Sequence, residues 1–261
     1  MRLHFLGTGT SFGVPVIGCR CVVCKSEDPR NQRSRHCLAL ESAGRVLLVD
    51  TPPELRLQLV RAGIPSIDAA FLSHLHADHV HGIDDLRVFS IRREAPVPMY
   101  VAAEHVRELE TRFTYIFDES LEPNPGTSAP EIDLNTFTAG EQLSIAGFRL
   151  QVLAFPHGKV NSYGFRIGGL GVVVDGKAIL GESRAALEGV ETLVINALWW
   201  GDPHPTHFNV EEAVAVAGEL GARRTYLTHL THRLDYSELL TKLPQGVRPA
   251  YDGLVVELGD G

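Results

Sequence analysis

The chain has 261 residues, a formal charge of −8 and 44% hydrophobic residues, values typical of a globular protein with a substantial core. The acidic balance argues against a broad basic surface for nucleic acid, and the N-terminal residues resemble neither a signal peptide nor a membrane span. We therefore expect one cytoplasmic domain over residues 1–261, without a membrane or nucleic-acid partner.

Short apolar runs recur along the chain and predict strands at 3–6, 46–49, 69–72, 97–102, 148–154, 171–174, 193–195, 225–227 and 254–258. Amphipathic stretches between them predict helices at 53–62, 83–91, 183–187 and 210–220. Hairpin signals stand at 42–44 and 146–147, and the proline-dense stretch 122–130 predicts an exposed loop. This alternation predicts an α/β fold with mixed sheets.

The first motif along the chain is a cluster of three cysteines at C-x-C-x2-C spacing, Cys19, Cys21 and Cys24. Three neighbouring thiolates can bind a zinc ion, which needs a fourth ligand to complete its tetrahedron. His232, in the late segment T-H-L-T-H, is the candidate for that position. The alternative is that the cysteines are small buried hydrophobes, which is our interpretation of the isolated Cys37.

The densest cluster of potential ligands is the segment S-H-L-H-A-D-H at 73–79, between a predicted strand and a predicted helix. In extended chain His74 and His76 project to the same side, and Asp78 and His79 can turn toward the same point. Imidazole and carboxylate ligands suit zinc, and also iron or manganese. The alternative is a polar turn in which Asp78 caps the helix.

This segment resembles the HxHxDH signature of the metallo-β-lactamase superfamily. The residues that accompany this signature follow predicted strands in the same order, namely Asp50, His157, Asp175 and His229. The resemblance implies an α/β fold of the αββα type, in which two mixed β-sheets are flanked by helices and the site lies at one edge between them. The chain departs from the pattern at Thr51-Pro52-Pro53 and at Val174.

The same resemblance implies two divalent metal ions in the active site, Zn²⁺ or Mn²⁺. The ligands implied for the first ion are His74, His76 and His157. Those implied for the second ion are Asp78, His79 and His229, with Asp175 bridging the two. Asp50 would orient a ligand, since a metal-bound imidazole needs its other N–H anchored.

Three features together resemble the PhnP family of phosphoribosyl cyclic phosphodiesterases: the loop L-G-T-G-T-S-F-G-V-P at 6–15, the cysteine cluster and the late T-H-x-x-H pair. This resemblance implies a structural zinc, separate from the catalytic pair, with the ligands Cys19, Cys21, Cys24 and His232. It also implies that His207 is the catalytic histidine and proton donor. His204 is the alternative, whereas His4, His36, His81 and His105 have no comparable context.

Two divalent ions about 3.5–4 Å apart activate a bridging hydroxide and polarise a phosphoryl oxygen. We therefore expect a phosphodiesterase acting on a small phosphorylated substrate, such as the 1,2-cyclic phosphate of ribose 5-phosphate. Arg92, Arg93 and Lys159 are candidates for binding a second phosphate. The alternatives are an RNase Z-like tRNA 3′ endonuclease and a non-catalytic zinc-binding protein of the same fold, and a homodimer is left open.

Overall fold

The structure is a computed structural model that describes residues 1–118, 120–121 and 126–259. Its strands, in chain order, are β1 (Arg2–Gly7), β2 (Cys37–Ser42), β3 (Arg45–Val49), β4 (Ala69–Phe71), β5 (Val97–Ala102), β6 (Ile132–Phe137), β7 (Gln142–Ile145), β8 (Phe148–His157), β9 (Val160–Ile167), β10 (Leu170–Val173), β11 (Thr192–Asn196), β12 (Arg224–Thr228), β13 (Val247–Pro249) and β14 (Val255–Glu257). The α-helices are α1 (Leu55–Ala62), α2 (Ala77–Val80), α3 (Arg87–Arg93), α4 (Val106–Arg112), α5 (Thr114–Phe117), α6 (Gly181–Leu187), α7 (Val210–Glu219) and α8 (Tyr236–Lys242). Short 3₁₀ helices lie at Val23–Lys25, Pro29–Asn31, Ile83–Leu86 and Ala103–His105.

The strands form two seven-stranded mixed sheets, in the orders β14-β1-β2-β3-β4-β5-β6 and β13-β12-β11-β10-β9-β8-β7. Strands β3 to β6 are parallel neighbours in the first sheet, as are β10 to β13 in the second, and the remaining pairs are antiparallel. Both predicted hairpins are present. Ala43-Gly44 and Ala146-Gly147 have positive φ at both residues, as tight two-residue hairpin turns require.

Apolar side chains fill three layers. One core lies between the sheets and contains the stacked rings of Phe71 and Phe137, 4.8 Å apart. A second core joins the first sheet to α1 and α3, and a third joins the second sheet to α6, α7 and α8. Central strands such as β3 are thus buried on both faces, which explains their near-continuous apolar sequence. The predicted αββα architecture is confirmed.

Each predicted strand and helix overlaps an observed one, whereas β2, β6, β7, β9, β13, α2, α4, α5 and α8 were not predicted. In the predicted loop 122–130, residues 122–125 lie outside the described residues, and 126–130 contain neither helix nor strand. Among the described residues, none of the helices combines the length and the apolarity needed to cross a bilayer.

Candidate metal centre

The candidate site lies where several strands end at one edge of the sandwich. Asp50 follows β3, His74 follows β4, His157 ends β8, Asp175 follows β10 and His229 follows β12. The carboxyl ends of parallel strands share one edge of a sheet, so residues far apart in sequence meet there. Every one of these side chains is buried.

The first set of donor atoms comes from His74, His76 and His157. His76 Nδ1 lies 2.9 Å from His74 Nε2 and 3.1 Å from His157 Nε2. The second ring nitrogen of His157, Nδ1, lies 3.0 Å from the carbonyl oxygen of Thr206 and can donate to it, which leaves Nε2 free as a ligand. Burial lowers the pKa of His157 to about 4 and lowers that of His74 well below its usual value. Both imidazoles are therefore neutral near pH 7, the form that binds metal.

The second set comes from Asp78, His79 and His229. Asp78 Oδ2 lies 3.4 Å from His79 Nε2 and 3.7 Å from His229 Nε2. Burial alone would lower the pKa of His79, but Asp78, Asp50 and Asp175 outweigh it and raise that pKa well above its usual value. This position therefore stabilises positive charge, as a cation site must.

Asp175 lies between the two sets. Its Oδ2 is 3.8 Å from His74 Nε2 and 3.4 Å from His79 Nε2, and its Oδ1 is 3.5 Å from His229 Nε2. One carboxylate thus faces ligands of both sets. Val174, the departure from the superfamily pattern, packs into the core between the sheets and leaves the Asp175 carboxylate in this position.

Asp50 lies behind the second set and holds it in place. Its Oδ2 accepts from His79 Nδ1 at 2.7 Å and from Ser73 Oγ at 2.9 Å, and its Oδ1 accepts from the Ser73 backbone N–H at 2.8 Å. Burial opposes ionisation of Asp50, but His79 and His36 outweigh it and keep its pKa below the usual value. Asp50 and His229 also share a left-handed backbone, with φ of 67° and 57°, a strained conformation often found at functional sites.

The chemistry of these donors fits divalent metal ions. His79 Nε2, Asp175 Oδ1 and His229 Nε2 are buried and have no hydrogen-bond partner within the described residues. An unpaired buried polar atom costs free energy, and metal ligation would remove that cost. The spacing also agrees, because nitrogen ligands of one tetrahedral zinc lie about 3.3 Å apart. Whether each residue binds metal remains a prediction.

A separate cluster forms where the cysteine loop meets the segment after β12. Sγ of Cys19, Cys21 and Cys24 lies 3.3, 3.6 and 3.6 Å from Nδ1 of His232. Four ligands at these separations fit a tetrahedral zinc, whose Zn–S bonds are about 2.3 Å long. The backbone N–H of Cys24 donates to Cys21 Sγ and lowers the pKa of that thiol to about 6, which favours the thiolate. Cys37 lies apart, fully buried in the core, as predicted.

The two candidate proton donors, His207 and His204, differ in their distance from the proposed metal ligands. His207 Nε2 lies 3.2 Å from Asp175 Oδ2, and its ring is 4.6 Å from that of His157. His204 lies one ring further out, with its Nδ1 3.3 Å from His207 Nδ1. Thr206 Oγ1 is 2.8 Å from His207 Nδ1 and fixes the ring. This geometry favours His207 over His204.

The prediction that Arg92 and Arg93 bind a second phosphate is wrong. Both lie at the end of α3, where they donate to the carbonyl oxygens of Pro65 and Asp68, just before β4. The metal donors follow the other end of that strand. Lys159, in the turn between β8 and β9, is exposed near His157 and stays a candidate.

Three residues that support the site were not predicted from the sequence. His36 is fully buried, with its Nδ1 3.7 Å from Asp50 Oδ2 and its ring stacked on that of His79 at 5.7 Å. Ser73 donates a hydrogen bond to Asp50, and the carbonyl oxygen of Thr206 accepts one from His157. Ser73 directly precedes the histidine motif and could have been noticed, whereas His36 stands in no recognisable pattern. The other unassigned histidines have local contacts, for example His4 with Glu41 at 2.9 Å.

Known proteins share this architecture. A crystal structure of a diphosphatase from the PhnP family is similar to this chain, with a TM-score of 0.89 and 36% identity over 99% of this chain and 98% of that one. A ribonuclease Z of Myxococcus xanthus is 26% identical over 99% of this chain and 98% of that protein. An octanoyltransferase of Porphyromonas gingivalis is 36% identical over 97% of this chain. The chain spans about half of that protein, 51% of its length, so the similarity does not carry over the activity in its name.

The family described as "Beta-lactamase superfamily domain" matches residues 45–230, which is more than half of the chain and includes both donor sets. The sandwich and the similarity to the PhnP-family structure agree with that match. The resemblances to the superfamily and to the PhnP family are therefore confirmed, and the chain belongs to the β-lactamase superfamily as a hydrolase of the metallo-β-lactamase fold.

Proposed function

We propose that the chain is a dinuclear metal-dependent phosphodiesterase that opens a small cyclic phosphate, with the 1,2-cyclic phosphate of ribose 5-phosphate as the favoured substrate. The observation that carries the proposal is the position of Asp175, whose carboxylate faces His74 of the first donor set and both His79 and His229 of the second. A carboxylate between two such sets is suited to a pair of metal ions sharing one ligand.

His74, His76 and His157 would hold one ion, and Asp78, His79 and His229 the other, with Asp175 shared between them. When bound, such ions supply positive charge to phosphoryl oxygens and lower the pKa of water. Asp50 and the Thr206 carbonyl keep the His79 and His157 rings oriented.

The chain's own proton chemistry centres on His207. Opening a cyclic phosphate releases an alkoxide, a poor leaving group that needs a proton as the P–O bond breaks. His207 Nε2 points at the donor cluster and is held by Thr206 through Nδ1, so a protonated His207 can deliver that proton. The resulting hydroxyl and phosphomonoester remain on one product molecule.

A second candidate substrate is a small diphosphate ester, because the similar PhnP-family structure is that of a diphosphatase. Both reactions attack a phosphorus atom that carries two bridging oxygens. A tRNA substrate, suggested by the ribonuclease Z relative, is disfavoured by the net charge of −8, since tRNA binding relies on basic surface.

The test is a substrate panel with protein loaded with Zn²⁺ or Mn²⁺. Bis(p-nitrophenyl) phosphate, ribose 5-phosphate 1,2-cyclic phosphate, ADP-ribose and a precursor tRNA represent the competing classes. We expect the cyclic phosphate to be hydrolysed with the highest kcat/KM. A higher kcat/KM for ADP-ribose would favour a diphosphate ester as the substrate instead of the cyclic phosphate. Cleavage of the precursor tRNA alone would reject both of these small substrates.

A pair of histidine variants controls for contaminating activity. His79→Ala should abolish hydrolysis, whereas His4→Ala, which alters a histidine paired with Glu41 away from the donors, should retain it. No turnover of any substrate by the wild-type protein with either metal would reject the hydrolase proposal and favour a non-catalytic zinc-binding protein.

A further inference from the structure

A small groove opens between the loop before the cysteine cluster, the loop after β11 and the segment after β12. Its volume is about 220 Å³, and its walls include Phe12, Trp199, Thr231 and Arg233. We call it the Trp199 groove. Phe12 is 72% exposed at its rim, unusual for a large apolar side chain. Its lining also includes His232, the proposed fourth ligand of the structural zinc, but none of the donors at the strand ends.

Arg233 is the unusual group in this groove. Its guanidinium carbon lies 4.6 Å above the ring of Trp199, and no carboxylate in the described part of the chain forms an ion pair with it. Some other arginines form ion pairs, for example Arg35 with Glu54 and Arg184 with Glu219, whereas the stacking on a tryptophan ring distinguishes Arg233. Stacking fixes the plane of the guanidinium and leaves its in-plane N–H groups able to bind an anion.

The surroundings hold this pair in place. Trp199 donates from Nε1 to the carbonyl oxygen of Asp202 at 2.9 Å, which fixes the indole. The backbone N–H of Arg233 donates to Thr231 Oγ1 at 3.3 Å, and that hydroxyl donates to the carbonyl oxygen of Leu198 at 2.7 Å. The backbone of Arg233 is thus tied to the residue next to Trp199, and the stacking on the indole orients its guanidinium.

The groove adjoins the metal centre. The Trp199 ring contacts the His204 ring at 5.4 Å, and the His204 ring contacts the His207 ring at 5.1 Å. His207 in turn lies beside Asp175. Arg233 also follows the donor His229 by four residues in the same segment. His204 and His207 therefore lie between the groove and Asp175.

We propose that the Trp199 groove binds a second phosphate group of the substrate, through the guanidinium of Arg233. This inference rests on the proposed function, in which the reacting phosphate binds at the metal centre. A stacked guanidinium presents paired donors that match phosphate geometry, and such charge-assisted hydrogen bonds are strong. In an acidic protein, an unpaired and ordered arginine beside the site selects for a substrate with a remote phosphomonoester.

The kinetic test compares two substrates that differ only in the second phosphate, ribose 5-phosphate 1,2-cyclic phosphate and ribose 1,2-cyclic phosphate. Arg233→Gln should raise KM for the phosphorylated substrate about 10- to 100-fold, the loss expected for a charge-assisted contact, and change kcat less than about 3-fold. Kinetics with the unphosphorylated substrate should change little, and Arg233→Lys should restore part of the loss.

Two charge-matched variants control for the lost positive charge. Arg107→Gln, on the exposed face of α4, should leave both substrates unaffected. Lys159→Gln tests the competing cation in the turn between β8 and β9. The inference is overturned if Arg233→Gln impairs both substrates equally, or if discrimination is lost in Lys159→Gln instead.

A binding measurement separates this inference from the proposed function. In a Trp200→Phe background Trp199 is the only tryptophan, so its emission reports on the groove. Titration with ribose 5-phosphate should change this emission, and Arg233→Gln should abolish the change. If the emission change depends on Arg233 but the protein hydrolyses none of the diesters, only the proposed function is rejected. Diester hydrolysis without an Arg233-dependent emission change would reject only the groove.

Discussion

A single carboxylate, Asp50, organises much of the candidate metal centre. It is fully buried, adopts a left-handed backbone and accepts hydrogen bonds from Ser73 and His79. The strained backbone turns the carboxylate toward the His79 ring instead of along β3. Anchoring one ring nitrogen fixes the direction of the other, so Asp50 sets the orientation of His79 Nε2.

The substitution Asp50→Asn should weaken metal binding at the His79 side. The amide loses the charge that anchors His79 Nδ1–H, and losing such a partner costs about 10- to 100-fold in metal affinity. Competition with a chromophoric chelator during zinc titration of the metal-free protein measures the effect. Asp84→Asn, which removes an exposed carboxylate paired with Arg87, is the matched control. Equal zinc affinities for the two variants would contradict this role of Asp50.

His207 and His204 can be separated by the leaving group. His207→Asn should lower kcat for the cyclic phosphate about 10²- to 10⁴-fold, because its alkoxide needs a proton. The same variant should hydrolyse bis(p-nitrophenyl) phosphate nearly as well as the wild type, since p-nitrophenolate leaves without one. His204→Asn should spare both reactions. A uniform loss on both substrates in His207→Asn would indicate a role in binding instead of proton transfer.

At the scale of elements, the start of α7 positions the loop that carries Trp199, His204 and His207. Asn209 caps the helix in a reciprocal capping box with Glu212, and its side-chain amide donates to the carbonyl oxygen of Gly201. The cap thus satisfies helix N–H groups and ties down the loop in front of them. Its sequence signal, N-x-x-E before an apolar run, is visible in the sequence alone.

Asn209→Ala should therefore affect both stability and the site. Loss of the cap should lower the free energy of unfolding by about 1 kcal/mol, measured by denaturant titration. It should also lower kcat/KM, because His207 lies two residues before the cap. The control is Asp235→Ala. The side chain of Asp235 caps α8 by accepting a hydrogen bond from the Glu238 backbone N–H, so its loss should destabilise the protein without the same loss of kcat/KM. Equal kinetic effects in both variants would show that the loop does not depend on Asn209.

Physical reasons explain why some strands were not predicted from the sequence. Strand β6 lies at a sheet edge and alternates apolar and polar residues, so it lacks a continuous apolar run. Strand β9 contains Gly164, a residue that weakens a strand prediction. In the fold a Cβ at this position would lie 2.0 Å from the carbonyl oxygen of Val172, so the close approach of β10 requires glycine. Only the three-dimensional packing explains that glycine.

At the scale of the whole molecule, the sequence alone showed the types and the order of the proposed metal ligands. It did not show the residues that contact and support them in the fold. His74, His76, Asp78 and His79 are adjacent, so local spacing predicted them. His36 supports Asp50 from a segment that becomes its neighbour only when β2 and β3 pair. The Trp199 groove likewise needs three distant segments to meet, which contribute Phe12, Trp199 and Arg233. Such long-range contacts follow from topology, which residue spacing does not encode.

The cysteine cluster links distant parts of the chain. Cys19, Cys21 and Cys24 precede β2, whereas His232 follows β12, more than 200 residues later. The buried Arg33 reinforces this link by donating to the carbonyl oxygens of Thr231 and Leu234 on either side of His232. The same segment carries His229 and Arg233. A structural zinc here would stabilise the segment that contributes to both the metal centre and the groove.

Cys21→Ser should therefore remove one equivalent of zinc and lower Tm by about 5–15 °C, as expected when a cross-link closing a long loop is lost. Hydrolysis below the lowered Tm should persist in part, because the donors at the strand ends are held by the sheets. Cys37→Ala, which removes a buried thiol outside the cluster, should keep the full zinc content measured by elemental analysis. Both substitutions can lower Tm, so the zinc content is the measurement that distinguishes them. An unchanged zinc content in Cys21→Ser would reject the structural zinc.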